Sequence, residues 1–344
     1  MMLVVALAFA LWVLGGVLGT PKRLRWGAIA ALWLATILVN LLLPAGHPLR
    51  ETTGGDARVW AAVALGFSAV LGYWVLLQGL KNRVELAAPV ISPAAFSSGE
   101  VERYARHILL REIGGPGQRK LKDAKVLVVG AGGLGAPALL YLAAAGVGEI
   151  GVIDDDTVDP SNLQRQIIHS VQRIGMDKVR SAEIAMKALN PYIVVKPYMR
   201  RLDEASGGLI AEYDLVLDGS DNFDTRYLVN RLCVAAGKPL VAAAITQWEG
   251  QLSVYDPAKG SPCYECVFPV RPAPGTVPTC AEAGVAAPLP GVIGSMMAME
   301  AVKLITGAGE PLRGRLFIHD ALYGETRVIG LKPRADCAVC GVNH

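Results

Sequence analysis

The sequence predicts an α/β protein with a doubly wound, mainly parallel, Rossmann-like sheet and a zinc-bound C-terminal part, preceded by three transmembrane helices. Three observations carry that prediction. Lys125 to Asp154 reads as strand, glycine turn, helix and strand. From Glu100 onward, short apolar runs alternate with helical patterns, as parallel strands joined by helices require. The first eighty residues hold three long apolar runs free of Asp, Glu, Lys and Arg.

Taken in order, those runs are Met2 to Gly19, Trp26 to Leu43 and Val59 to Leu80. Each can cross the roughly 30 Å hydrocarbon core as a helix. The chain of 344 residues is 52% hydrophobic, and most of the excess lies here. Met1-Met2-Leu3 lacks the basic start of a signal peptide. Core helices of a soluble protein would keep a polar face, and these runs have none. Lys22, Arg23 and Arg25 crowd the first short loop, and Lys81 and Arg83 follow the third run. Cations gather on the cytoplasmic side, so the sequence predicts a multi-pass inner (plasma) membrane protein with its N-terminus outside. Residues 1–83 form the membrane domain, 84–99 a linker with two prolines, and 100–344 a cytoplasmic domain. A net charge of +3 is too mild to imply nucleic acid.

In the cytoplasmic part, Val126 to Val129 is apolar throughout, as a strand covered on both faces should be. Gly130, Gly132, Gly133 and Gly135 then let the backbone turn and approach a ligand. The helix from Pro137 to Ala145 points its free N–H groups and dipole at that ligand, which favours a phosphate. Strand Ile150 to Ile153 ends in Asp154, nineteen residues past Gly135, where a carboxylate can accept from ribose hydroxyls. A helix follows at Lys178 to Leu189, then strands Ile193 to Tyr198 and Leu215 to Asp218. Next come a helix at Thr225 to Ala236 and a strand at Pro239 to Ala244. Gln251 to Tyr255 and Leu316 to Asp320 read as antiparallel strands, and Val292 to Thr306 as a late helix.

The glycines alone leave a nicotinamide enzyme open. Around the turn, however, stand the cations Arg165 and Lys178, with the carboxylate of Asp221 past the end of a strand. That assortment suits a triphosphate with a metal ion and has no place in a hydride-transfer site. Cys263-x-x-Cys266 and Cys337-x-x-Cys340 are pairs at zinc-ligand spacing, and disulfides conflict with a cytoplasmic location. Cys233 reads as a small core residue; Cys280 sits in a Pro/Gly/Ala-rich segment, Pro272 to Pro290.

From about Val101 to Gly341 the chain resembles the MoeB/ThiF/HesA adenylyltransferases, the bacterial relatives of ubiquitin-activating enzymes. It is most similar to the molybdopterin-synthase adenylyltransferase. The resemblance rests on Glu102 to Arg111, Gly130 to Gly135, Asp154 to Val158, Ser161 to Gln166, Gly175 to Val179 and Leu217 to Asn222. It continues through Cys263 to Cys266, Thr279 to Val285 and Cys337 to Cys340. It implies ATP-dependent adenylylation of the C-terminal carboxylate of a ubiquitin-like sulfur carrier ending in Gly-Gly, with release of pyrophosphate. Arg165 and Lys178 would offset phosphate charge, and Asp221 would hold Mg²⁺. Asp154 would take the ribose, with Asn162, Gln166 and Asn222 close by. Arg106 matches an arginine that a partner subunit inserts into the site, which implies a homodimer, and Arg103 lies one helical turn before it. The four paired cysteines would hold a structural zinc, leaving no open ligand position, and Cys280 would be open to acyl chemistry. Asp155, Asp156, Glu282, Arg226 and Arg271 are weaker candidates. His169 and His319 read as polar fillers. A carrier of the thiamine or another sulfur pathway, a non-catalytic tethered binding module and a nicotinamide-dependent oxidoreductase remain as alternatives. Any sulfurtransferase is expected to be a separate protein.

Overall fold

The computed structural model describes residues 2–54, 56–87, 96–273 and 280–341, in two compact units, Met1–Val90 and Ile91–His344.

The first unit is helical, with α1 (Met2–Val17), α2 (Lys22–Leu42), α3 (Pro48–Thr53) and α4 (Ala57–Ala87). Its apolar side chains turn outward: Leu34, Leu38, Leu65 and Val70 are all exposed, the reverse of a water-soluble bundle. Trp12 meets Trp26 and Trp33 meets Trp60, with ring centroids 4.9 and 6.5 Å apart. α2 and the Pro48–Gly79 stretch are long and apolar enough to cross a membrane. The first run departs from expectation: α1 has 16 residues. At ~1.5 Å per residue it measures about 24 Å, short of a ~30 Å core. The short helix α3 was not foreseen either. Asn40 donates to Thr53 Oγ1 at 2.9 Å and Trp60 Nε1 to the Thr53 carbonyl at 3.0 Å, which ties α3 to α2 and α4.

The expected linker is shorter than its predicted bounds. Val84 to Ala87 continue α4, and Ser98 and Gly99 open α5 (Ser98–Ile108); residues 88–95 of the linker lie outside the described residues. Ser97 caps α5 in a reciprocal box with Glu100, whose carboxylate also meets Lys122 at 2.7 Å. Burial pushes the Glu100 carboxyl up, but these hydrogen bonds and the Lys122 charge outweigh it and hold the group below its ordinary range.

Next come α6 (Gly114–Asp123), β1 (Lys125–Val129), α7 (Gly135–Ala145), β2 (Glu149–Ile153), α8 (Lys178–Leu189) and β3 (Val194–Tyr198). They are followed by α9 (Gly207–Ala211), β4 (Leu215–Asp218), α10 (Phe223–Ala236), β5 (Leu240–Ile245) and β6 (Glu249–Tyr255). α11 (Tyr264–Val267), α12 (Cys280–Ala283), α13 (Pro288–Thr306), β7 (Arg315–Asp320) and β8 (Glu325–Gly330) complete the described α-helices and strands. One sheet runs in the order β3-β2-β1-β4-β5-β6-β7-β8. β1 to β5 pair in parallel, and β6, β7 and β8 join antiparallel.

Strand alternation sends Val126 and Val128 to one core with α7, α8 and α13, and Leu127 and Val129 to a second core with α10. α13 also has the length and composition of a membrane span, yet half of it is buried within this unit. Gly294 is the reason it can lie so close to α7: a Cβ there would stand 2.3 Å from the Leu134 carbonyl oxygen.

Candidate functional site

Because β1 pairs in parallel with both β2 and β4, the loops that follow these three strands leave the same edge of the sheet, side by side. Chain order reverses at β1, so this edge is the switch point where open α/β sheets receive ligands. Gly130 turns at φ +91°, a conformation that glycine adopts freely, and its N–H donates to Ile153 O at 2.9 Å. At Gly135 the requirement is contact: a Cβ would sit 1.9 Å from the Gly130 carbonyl oxygen. Gly132 is different, since its Cβ would meet only Gln166 Nε2 at 3.8 Å. α7 then starts with no side-chain cap; the Ala136 N–H donates to the Gly132 carbonyl at 2.9 Å and Pro137 has no N–H, so the helix end is tied back into the turn by its own backbone. Gly135→Ala should weaken nucleotide binding about tenfold and lower the melting temperature, both readable by calorimetry. Wild-type binding by that variant would show that the turn does not shape the pocket.

Asp154 closes the turn from β2. Its Oδ2 accepts from the Ala131 N–H at 2.8 Å and its Oδ1 from the Asp156 N–H at 2.9 Å. Burial raises its pKa, against the opposing pull of Lys178 and these N–H groups. Lys178, only 5% exposed, lies 2.7 Å from Asp156 Oδ2 at the start of α8. Arg165 donates to Asn162 Oδ1 at 2.9 Å, so these two candidates form a pair. Gln166 is buried with its Oε1 unpartnered, as are Asp218 Oδ2 at the end of β4 and Ser220 Oγ just after it. Buried polar atoms are seldom left without partners, and two groups of them flank the glycine turn. The residues present fit a nucleotide.

Past β4, Asp221 is exposed, while Asn222 caps α10 by accepting from the Thr225 N–H at 2.9 Å. Arg226, one of the weaker candidates, is 7% exposed. It donates to the carbonyls of Ser220 and, at 2.6 Å, Ala243, and so pins the loop that carries Asp221 to β5. Arg106 is exposed on α5, and Arg103 donates to the Leu189 carbonyl at 2.8 Å. Arg271 pairs with Asp224 and lies over the Tyr227 ring; Asp155 and Glu282 are on the surface. The side chain of Cys280 and residues 274–279 beside it lie outside the described residues. His169, read as a filler, is buried and bonded through both ring nitrogens, at 2.8 Å to Ser181 Oγ and 2.9 Å to Ala131 O. His319, on β7, meets Thr326 Oγ1 at 3.1 Å across the β7–β8 pair and stacks with Phe317.

Cys263, Cys266, Cys337 and Cys340 converge in a separate buried cluster, with sulfur separations of 3.8, 3.6 and 3.3 Å. Tetrahedral ligands at the ~2.3 Å Zn–S distance stand about 3.8 Å apart, so the four thiols fit zinc. Burial takes the Cys340 thiol up to about 11, and a cation is what would hold it as thiolate. Cys233 is a buried core residue, as expected.

A glycine turn at the switch point, with a carboxylate closing it and cations beside it, defines a nucleotide-binding protein of the doubly wound class. The ThiF family model matches residues 104–339, and the chain belongs to the ThiF family. It is 48% identical over 247 residues to the sulfur carrier protein adenylyltransferase of Thermus thermophilus, covering 70% of this chain and 91% of that one. To the SAMP-activating enzyme E1 of Haloferax volcanii it is 47% identical, covering 70% and 89%. To the probable adenylyltransferase/sulfurtransferase MoeZ of Mycobacterium tuberculosis it is 51% identical, covering 71% of this chain and 64% of that one. Among solved structures, E. coli MccB with ATP superposes at a TM-score of 0.61 and 26% identity, over 70% of this chain and 74% of that one.

Proposed function

We propose that this protein is an ATP-dependent adenylyltransferase that activates the C-terminal glycine carboxylate of a small ubiquitin-like sulfur carrier, such as the small subunit of molybdopterin synthase. One observation carries the reading: Arg165, Lys178 and Asp221 stand on the loops and helix that surround the glycine turn. The carrier carboxylate attacks the α-phosphorus of ATP, the bond to the bridging oxygen breaks, and pyrophosphate leaves with the acyl-adenylate formed. Asp154 receives the ribose, and the unpartnered Gln166 Oε1 and Ser220 Oγ leave hydrogen-bonding capacity beside the turn for the nucleotide. Lys178 and Arg165 neutralise charge that grows on the phosphates in the transition state. Asp221 would hold Mg²⁺, which supplies further positive charge to the leaving group. The four-cysteine cluster would hold zinc as a structural tie, with every ligand position filled by protein.

ATP–pyrophosphate exchange that requires a Gly-Gly-ended carrier tests this directly. Tight NAD binding without exchange would replace it with an oxidoreductase. Carriers of the molybdopterin and thiamine pathways, offered separately, identify the natural one.

The outward apolar faces of α2 and α4 and the cations at Lys22, Arg23 and Arg25 support a place in the plasma membrane, with the catalytic unit in the cytoplasm. Full-length protein should float with liposomes after a carbonate wash; recovery in the pellet-free soluble fraction would end that reading. Exposed Arg106 supports an arginine supplied across a homodimer. Mixing inactive Arg106→Ala and Asp221→Asn chains should then restore up to about a quarter of wild-type activity, since one site of a mixed dimer keeps both groups. No rescue, with subunit exchange demonstrated, would place Arg106 outside the chemistry.

A further inference from the structure

One chain of contacts in the catalytic unit closes on itself. Lys178 Nζ meets Asp156 Oδ2 at 2.7 Å, and the Asp156 N–H donates to Asp154 Oδ1 at 2.9 Å. Asp154 Oδ2 accepts from the Ala131 N–H at 2.8 Å, and the Ala131 carbonyl bonds His169 Nε2 at 2.9 Å. His169 Nδ1 meets Ser181 Oγ at 2.8 Å, and Ser181 stands one turn after Lys178 on α8. The loop is complete.

Its bonding fixes the imidazole tautomer. A carbonyl oxygen can only accept, so Nε2 carries the proton. In the neutral ring Nδ1 is then bare and accepts from the Ser181 hydroxyl. Burial, reinforced by the charges of Lys178 and Arg173, takes the His169 pKa down to about 4 against the opposing pull of the Ala131 carbonyl. The ring is therefore neutral at physiological pH.

The geometry matters because the turn has little stiffness of its own. Ala131 is flanked by Gly130 and by Gly132 and Gly133. Asp154 pins the peptide before Ala131 and His169 pins the peptide after it, so both backbone torsions at Ala131 are held. We propose that His169 is a positioning residue for the nucleotide: by fixing Ala131 it keeps the Asp154 carboxylate and the glycine turn in the orientation that receives ATP. This rests on the adenylyltransferase reading above. His169 itself touches neither ribose nor phosphate; it acts through the backbone.

The test uses the full-length chain, with ATP–pyrophosphate exchange for activity and calorimetric titration with ATP for binding. His169→Ala should raise the KM for ATP about tenfold, the scale of leaving a buried acceptor unpaired, with the KM for carrier unchanged. His169→Gln, whose amide can still donate to the Ala131 carbonyl, should recover ATP affinity to within about threefold. Ser181→Ala should fall between wild type and His169→Ala, and the double variant should bind ATP no worse than His169→Ala alone. Nitrogen NMR of the histidines should find a proton on Nε2 of His169 and none on Nδ1 at neutral pH.

Wild-type ATP affinity in folded His169→Ala, equal losses for ATP and carrier, or additive effects in the double variant would each overturn the proposal. Should His169→Ala not fold, His169→Gln, Ser181→Ala and the NMR spectrum decide, and a proton on Nδ1 overturns it. A wild type that binds ATP but shows no exchange defeats the adenylyltransferase reading, while the binding titrations still judge His169.

Discussion

Asp221→Asn is expected to reduce carrier-dependent ATP–pyrophosphate exchange at least about a hundredfold, the scale of losing one electrostatic contact to a transferring phosphoryl group. The substitution keeps shape and removes only charge. Asp221 is exposed on a loop whose position is set by other groups, Arg226 holding the Ser220 carbonyl and Asn222 capping α10. The melting temperature should therefore stay within a degree or two of wild type, since surface changes away from such features seldom exceed ~0.5 kcal/mol. Raising Mg²⁺ should recover part of the lost rate. Wild-type exchange in this variant would remove Asp221 from the reaction and leave Asp218 and the acidic trio Asp154, Asp155 and Asp156 as carboxylates near the turn.

The second large effect concerns the cysteine cluster. Elemental analysis should find one zinc per chain, and Cys337→Ser should release it. Breaking a structural zinc site in a domain of this size costs at least ~3 kcal/mol, which corresponds to a fall in melting temperature of about 6–12 °C. Chelation of the wild type should reproduce the shift. The cluster is built by α11 and the Cys337–Cys340 segment, apart from the loops after β1, β2 and β4. Nucleotide binding should accordingly persist at temperatures below the lowered transition. A metal-free wild type of undiminished stability would exclude the four-thiolate site.

Legibility from sequence followed the physics of each feature. The turn from Gly130 to Gly135 and its closing carboxylate Asp154 were readable because strand, glycine and acid spacing are local. The parallel half of the sheet was readable for a related reason: strands buried on both faces are apolar without interruption, as Leu215 to Leu217 are. β8 escaped notice because it lies at the sheet edge, exposed at every residue, and Glu325-Thr-Arg carries no apolar signal. α6 was hidden by Gly114, Gly115 and Pro116, which read as a turn; packing on α13 overrides that propensity. The α5 start, by contrast, is marked locally by Ser97-x-x-Glu100, a capping box that lies across the end of the expected linker. Arg226 and His169 were undervalued because their partners, Ala243 and Ala131, are 17 and 38 residues away. No local pattern marks a charge or an imidazole as buried.

With zinc bound, the cysteine cluster would also close a ring in the polypeptide. Cys266 and Cys340 are 74 residues apart, and α13, β7 and β8 all lie on the arc between them. A single protease cut between Cys266 and α13 would leave two fragments still joined by the β6–β7 ladder and, with zinc bound, by the cluster. Nicked protein should therefore run as one species in native separation and as two after chelation under denaturing conditions. Without a bound ion, a cut before α13 would leave α13, β7 and β8 held only by packing and the β6–β7 ladder, so zinc at the cluster would set how much backbone damage the domain tolerates.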